Sequence, residues 1–158
     1  MNQQQTKLQQ LCQYLATSLT PAVKANDIDA WQERGQLIIS GEDLGEGFCL
    51  AKWKYSATVL IERFPHQKIN PYTLLALMAS WLITQNEERD EWGMADPDID
   101  IDIISDDNCT IIIDVELMDD IEIIEDQQGP IEFIGKRYRV ATVPVYLAES
   151  AEVVERSQ

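Results

Sequence analysis

Asp96, Asp98 and Asp100 stand at the D-x-D-x-D spacing with which a calcium-binding loop opens. Such a loop also needs a glycine at its sixth position for the sharp turn and a bidentate glutamate at its twelfth. Those positions hold Ile101 and Asp107. Ile99, Ile101 and Ile103 alternate with the aspartates, a pattern that demands extended chain. Alternate carboxylates then lie about 6.6 Å apart on one side of a strand, too far for neighbours to chelate one ion. The run therefore reads as a solvated strand face, and no metal site is assigned. His66, the one histidine, lies in the loop-like Phe64-Pro65-His66-Gln67, and no nucleophile-elbow motif accompanies it. The glycine-bearing stretch Gly41–Gly47 carries Glu42, Asp43 and Glu46 and no lysine, so it would repel a phosphate rather than cradle it. Cys12, Cys49 and Cys109 are odd in number and far apart, which fits neither a zinc spacing nor a disulfide framework and suggests a reducing compartment. No catalytic, cofactor-binding or metal-ligating residue emerges, and the chain does not read as an enzyme.

The distribution of charge says more. Of 158 residues, 12 are Lys or Arg and 28 are Asp or Glu, for a formal net charge of −16. Residues 1–86 hold seven bases and seven acids; residues 87–132 hold 18 acids and one base, Arg89; residues 133–158 hold four bases and three acids. The acidity thus lies in one central block. Such a surface repels the phosphates of DNA and RNA, whose binding relies on Lys and Arg displacing counterions. It would attract a basic partner, or let a polyanion pass without adhering. The polar start and the shortness of every apolar run argue against a signal peptide and a membrane span.

Periodicity supplies the elements that carry this block. Leu8, Leu11, Cys12, Leu15 and Leu19 predict an amphipathic helix stopped by Pro21. Residues 28–32 and 36–40 predict a short hairpin turning near Glu33-Arg34-Gly35, followed by a flexible loop over 41–47. From Phe48 to Phe64 the period is two, with Lys52 and Lys54 on the polar side. Asn70-Pro71 predicts a helix start, and Leu74, Leu75, Met78, Trp81 and Leu82 its apolar stripe. A polar break over 87–93 precedes a strand at 98–103, with isoleucines inward and aspartates outward. A second strand follows at 109–118, a third at 121–124, and a closing hairpin at 131–134 and 138–147 with Pro144 at an edge. The expected fold is α+β: two helices packed on one face of a mostly antiparallel, twisted sheet of about five to seven strands. One domain is expected over 1–148, with 149–158 as a mobile C-terminal tail.

Two placements stay open at this level. Lys52 and Lys54 pair with the aspartates within one chain if their strands are neighbours; otherwise they face the acidic side of a second copy. Trp92, in Glu91-Trp92-Gly93, either anchors a subunit contact or folds back over the second helix.

The order of these elements resembles the GpR-like tail completion family of contractile-tailed bacteriophages and prophages. The likeness rests on the strand carrying Trp53-Lys54-Tyr55 and ending in Glu62-Arg63-Phe64, and on the helix with Trp81-Leu82 and Gln85-Asn86. It rests also on the acidic strand pair Asp102–Asp107 and Ile113-Asp114-Val115-Glu116-Leu117. It covers about residues 6–125; the family's asparagine-glutamine-proline order is replaced by Gln85-Asn86 without the proline. The resemblance implies a structural protein that caps the head-proximal end of the tail tube and helps join tail to head. It implies a homo-oligomeric ring, often hexameric, with tail tube and head–tail connector proteins as partners, in the virion tail after assembly in the bacterial cytoplasm. No cofactor, membrane or direct nucleic-acid binding is expected. The acidic block then suggests a lumen face of Asp98, Asp100, Asp102, Asp114 and Glu116, past which DNA slides. Lys52, Lys54 and Trp92 are the candidate subunit contacts. The alternative is an acidic inhibitor that imitates DNA, favoured by the −17 carried on 46 residues (1 − 18).

Overall fold

A computed structural model describes residues 5–141. The elements are α1 (Lys7–Leu19), a 3-10 turn (Ala25–Asp27), β1 (Ile28–Asp43), β2 (Gly47–Phe64), α2 (Pro71–Ile83), α3 (Asn86–Glu91), β3 (Asp98–Ile103), β4 (Cys109–Glu125), β5 (Ile131–Phe133) and β6 (Lys136–Val140). The class is α+β. Among the described residues one six-stranded sheet runs in the order β1-β2-β4-β6-β5, with β3 also on β4. Every pairing is antiparallel. β3 takes one end of the flank of β4, from Ile103 opposite Cys109 to Asp98 opposite Asp114; β6 takes the other end, at Ile123–Glu125.

The helix starts follow from local chemistry. Thr6 accepts from the Gln9 N–H while the Gln9 side chain accepts from the Thr6 N–H, a reciprocal box that satisfies two otherwise orphaned donors of α1. Asn70 caps α2 by accepting from Tyr72 N–H at 3.0 Å, with Pro71 as the first helical residue. Leu8, Leu11, Leu15 and Leu19 of α1 join Leu74, Met78, Trp81 and Leu82 of α2 in one buried apolar cluster. Its floor is the inward row of the central strands, where Ile61 faces Ile111, Val59 faces Ile113 and Ala57 faces Val115.

Several expectations are corrected. The short hairpin turning at Glu33-Arg34-Gly35 is instead a register shift between Gln32 and Arg34 inside one 16-residue strand, β1. The true turn is at 44–46, closed by Leu44 N–H to the Gly47 carbonyl at 2.8 Å. Residues 109–118 and 121–124 are not two strands but one, β4. The polar break contains a third helix, α3, so the helices number three rather than two among the described residues. Only Ile99 of β3 packs on the core; Ile101 is 43% exposed and Ile103 58%. Of the closing hairpin, β5 and β6 are present, whereas residues 142–147 and the predicted tail at 149–158 lie outside the described residues.

One acid of the central block is structural. Asp119 is buried in β4 at the start of α1, where it accepts from Lys7 N–H at 2.7 Å, while the Tyr55 hydroxyl accepts from Leu8 N–H at 3.3 Å. A carboxylate there meets free N–H groups and the positive end of the helix. Burial nonetheless pushes the Asp119 carboxyl above its ordinary value, against the pull of Lys7 N–H and the Tyr55 hydroxyl. Burial, and then the charge of Asp119, likewise push the Tyr55 phenol up.

The folded state therefore holds the Asp119 proton to higher pH than the unfolded chain does. The stability this residue contributes is greatest below the ordinary carboxylate pKa of about 4 and falls as pH rises through the raised value. Measured against Asp119→Asn, which cannot titrate, the native protein should lose stability across that window in urea unfolding between about pH 3.5 and 8. A difference that stays flat with pH would mean that Asp119 titrates at its ordinary value.

Candidate functional site

The outward face of the sheet carries the acidic residues singled out from the sequence. Asp98, Asp100 and Asp102 project from β3 at alternate positions and are all exposed. Asp98 stands directly opposite Asp114 of β4, an unfavourable like-charge pair in an antiparallel ladder. Asp114 is in turn opposite Thr58 of β2, whose hydroxyl lies 2.9 Å from it and 3.1 Å from Glu33. A hydroxyl has one proton to donate. Glu33 also takes the Trp31 indole N–H at 3.0 Å, which frees that proton for Asp114.

The five predicted face residues thus divide into two groups. Asp114 is held by Thr58, and the Glu116 carboxylate accepts from Ala95 N–H at 3.0 Å. The side chains of Asp98, Asp100 and Asp102 make no hydrogen bond or ion pair among the described residues. No three His, Cys, Asp or Glu side chains among the described residues could together hold a metal ion.

The lysines also divide. Because β2 and β4 are neighbours, Lys52 reaches Asp120 at 2.7 Å within the chain. This contact raises the lysine's pKa against the opposing effect of burial. Lys54 faces Met118 instead and shares a shallow depression of about 210 Å³ with Arg34 and Gln36. Trp92 ends α3, half-buried and outside the core cluster.

Arg89 shows why the acidic segment is ordered at all. It is 7% exposed and donates to the backbone carbonyls of Glu116 and Ala95, tying the approach to β3 onto β4. Burial draws its pKa down, while Glu116, Asp96 and Glu88 push it back up. The chain leaves α3 through Gly93 at φ 64°, where Gly93 N–H meets the Asp90 carbonyl and Met94 N–H the Arg89 carbonyl. That paired closure of a helix end needs a left-handed residue, for which glycine is the usual choice. The sequence held the signal for Arg89, the lone base among 18 acids. It held none for Asp119, Thr58 or Arg34.

A family profile described as P2 phage tail completion protein R (GpR) matches residues 5–142. The chain belongs to this family. A relative from Haemophilus phage HP1 (strain HP1c1), described as an uncharacterized 19.2 kDa protein in the rep-hol intergenic region, is 28% identical over 149 residues, covering 94% of this chain and 89% of the relative. No solved structure matches. The chain is therefore a structural protein of phage tail completion and virion assembly, and its family implies contact with other phage tail proteins. The match takes in β5 and β6, beyond the stretch on which the resemblance rested. Among the described residues no helix is long and apolar enough to cross a membrane.

Arg89→Met keeps side-chain bulk but strands two backbone carbonyls, each previously satisfied by a charged donor. It should cost about 2–3 kcal/mol in urea unfolding, whereas Lys54→Met, which breaks no hydrogen bond or ion pair among the described residues, should change stability by less than about 0.5 kcal/mol. Equal effects of the two would remove Arg89 from its role as the clamp on β3.

Proposed function

We propose that the chain acts at the head-proximal end of the tail, where copies close into a ring, of six in the common arrangement, that caps the tube and receives the head. The family match over residues 5–142 carries this reading. The outward acidic face supports a place for DNA in it. Asp98, Asp100 and Asp102 are solvated and uncompensated, so a ring that turned them inward would repel a passing duplex instead of binding it. Asp114 and Glu116 would add to that potential while also holding Thr58 and Ala95. Of the contacts proposed from the sequence, Lys54 and Trp92 remain available for neighbouring subunits, while Lys52 is engaged by Asp120.

A phage or prophage with this gene disrupted should yield tails that are not joined to heads, and the purified chain should restore joining in extracts. Joined, infective particles made without it would sink the capping role. Exchanging Asp98, Asp100 and Asp102 for lysine tests the lumen assignment separately, by infectivity per assembled particle counted in the electron microscope. That ratio should fall at least tenfold; if it is unchanged, the aspartates do not face the DNA path.

A further inference from the structure

Among the described residues three strands have an unpaired side: β1 pairs only with β2, β3 only with β4, and the three-residue β5 only with β6. Each presents a free row of backbone donors and acceptors. On the inward side of β3, Ile101 and Ile103 are exposed beside a groove of about 270 Å³ lined by Leu75, Leu82, Ile83 and Ile99. On the outward side stand the unpaired Asp98, Asp100 and Asp102. The β1 side carries the matching set. Leu37, opposite Trp53, and Ile39, opposite Ala51, lie on the inward side and are 54% and 77% exposed. Arg34, opposite Ser56, lies on the outward side in one depression with Lys54 and Glu116, and neither cation forms an ion pair within the described chain. Within one molecule β2 and β4 separate the two sets.

We propose that β3 of one copy pairs edge to edge with the Arg34–Ser40 stretch of β1 of a second copy. Leu37 and Ile39 then cover Ile101, Ile103 and the groove, and Arg34 and Lys54 approach the β3 aspartates. The occupant is a second copy because both halves of the complementarity, apolar on one side of the sheet and ionic on the other, are present on this chain. The contact is heterologous, since each copy uses a different edge, and repeated it builds a ring or a filament. For its biological setting it rests on the tail-capping reading, of which it names the subunit surface; it sets Asp98, Asp100 and Asp102 at the seam between copies, and so competes with their lining the DNA path.

The test places a photo-crosslinking phenylalanine analogue at Ile103 of the full-length chain, in an equal mixture of isotopically light and heavy protein at high concentration. Peptide mass spectrometry should find mixed light–heavy crosslinks from position 103 to residues between Arg34 and Ser40. Crosslinks confined to one copy, to residues 142–158, or to other surfaces would overturn the proposal. In parallel, Arg34→Glu with Lys54→Glu should weaken self-association on the order of tenfold by sedimentation, and Asp98→Lys with Asp100→Lys in the same chain should recover it. Failure of the reversed pair to recover association would remove the ionic half. If crosslinks map to β1 while tails are joined to heads without the protein, the contact stands and the capping reading fails. If capping holds and crosslinks map elsewhere, only the contact fails.

Discussion

The antiparallel pair β2–β4 is the constraint on which the rest of the molecule depends. β2 has 18 residues and β4 has 17, paired from Phe64 opposite Cys109 to Gly47 opposite Ile124. At about 3.3 Å per residue such a ribbon approaches 60 Å, whereas a 13-residue helix covers about 20 Å. Two helices of that length cannot shelter the whole inward face. The core therefore gathers over one half, from Tyr55 to Phe64, and the far half makes its own small cluster. There Phe48 packs edge-on against Phe133 and Tyr138, with ring centres 5.0 and 5.9 Å away, so β5 and β6 close a second apolar site. Between and beside these two sites the apolar residues Leu37, Ile39, Ile101 and Ile103 are left uncovered.

The same mismatch explains what was legible in the sequence. Strict alternation located β2, β3 and β4, because a period of two is a property of extended backbone alone. It could not say that Ile101 and Ile103 lack a cover, since alternation marks two faces without revealing what packs on either. Glu33-Arg34-Gly35 has the composition of a turn, yet the chain runs straight through it. A Cβ at Gly35 would collide with the Lys54 carbonyl and the Trp53 ring, so the glycine serves a close approach of β1 to β2 at a register shift. Asp119-Asp120 looks like a break between strands. It lies inside β4 because Lys7 N–H and Lys52 supply its partners from 112 and 68 residues away. Partners so distant in sequence leave no local mark.

The acidic block is equally mixed. Asp119 meets the start of α1, Asp120 an ammonium, Asp114 a hydroxyl and Glu116 a backbone N–H. These carboxylates belong to the fold, and counting them as one repulsive surface overstates its charge. On β3 itself the acids are unpaired, three aspartates on a strand that Arg89 fastens in place.

The row also restricts how copies can meet. Two β3 edges brought together would set Asp98, Asp100 and Asp102 against themselves, at spacings where directly opposed like charges destabilise a ladder. Two β1 edges would likewise bring Arg34 and Lys54 near their own copies. A symmetric two-fold pairing through either edge is therefore penalised, and the mixed pairing of one edge with the other is not. Open edges ordinarily invite aggregation, and proteins guard them with charge. Here the charge beside the Arg34–Ser40 stretch, from Arg34 of β1 and Lys54 of β2, is opposite to that of the β3 aspartates, which disfavours pairing of β3 with itself and favours the head-to-tail contact, the kind from which rings are built.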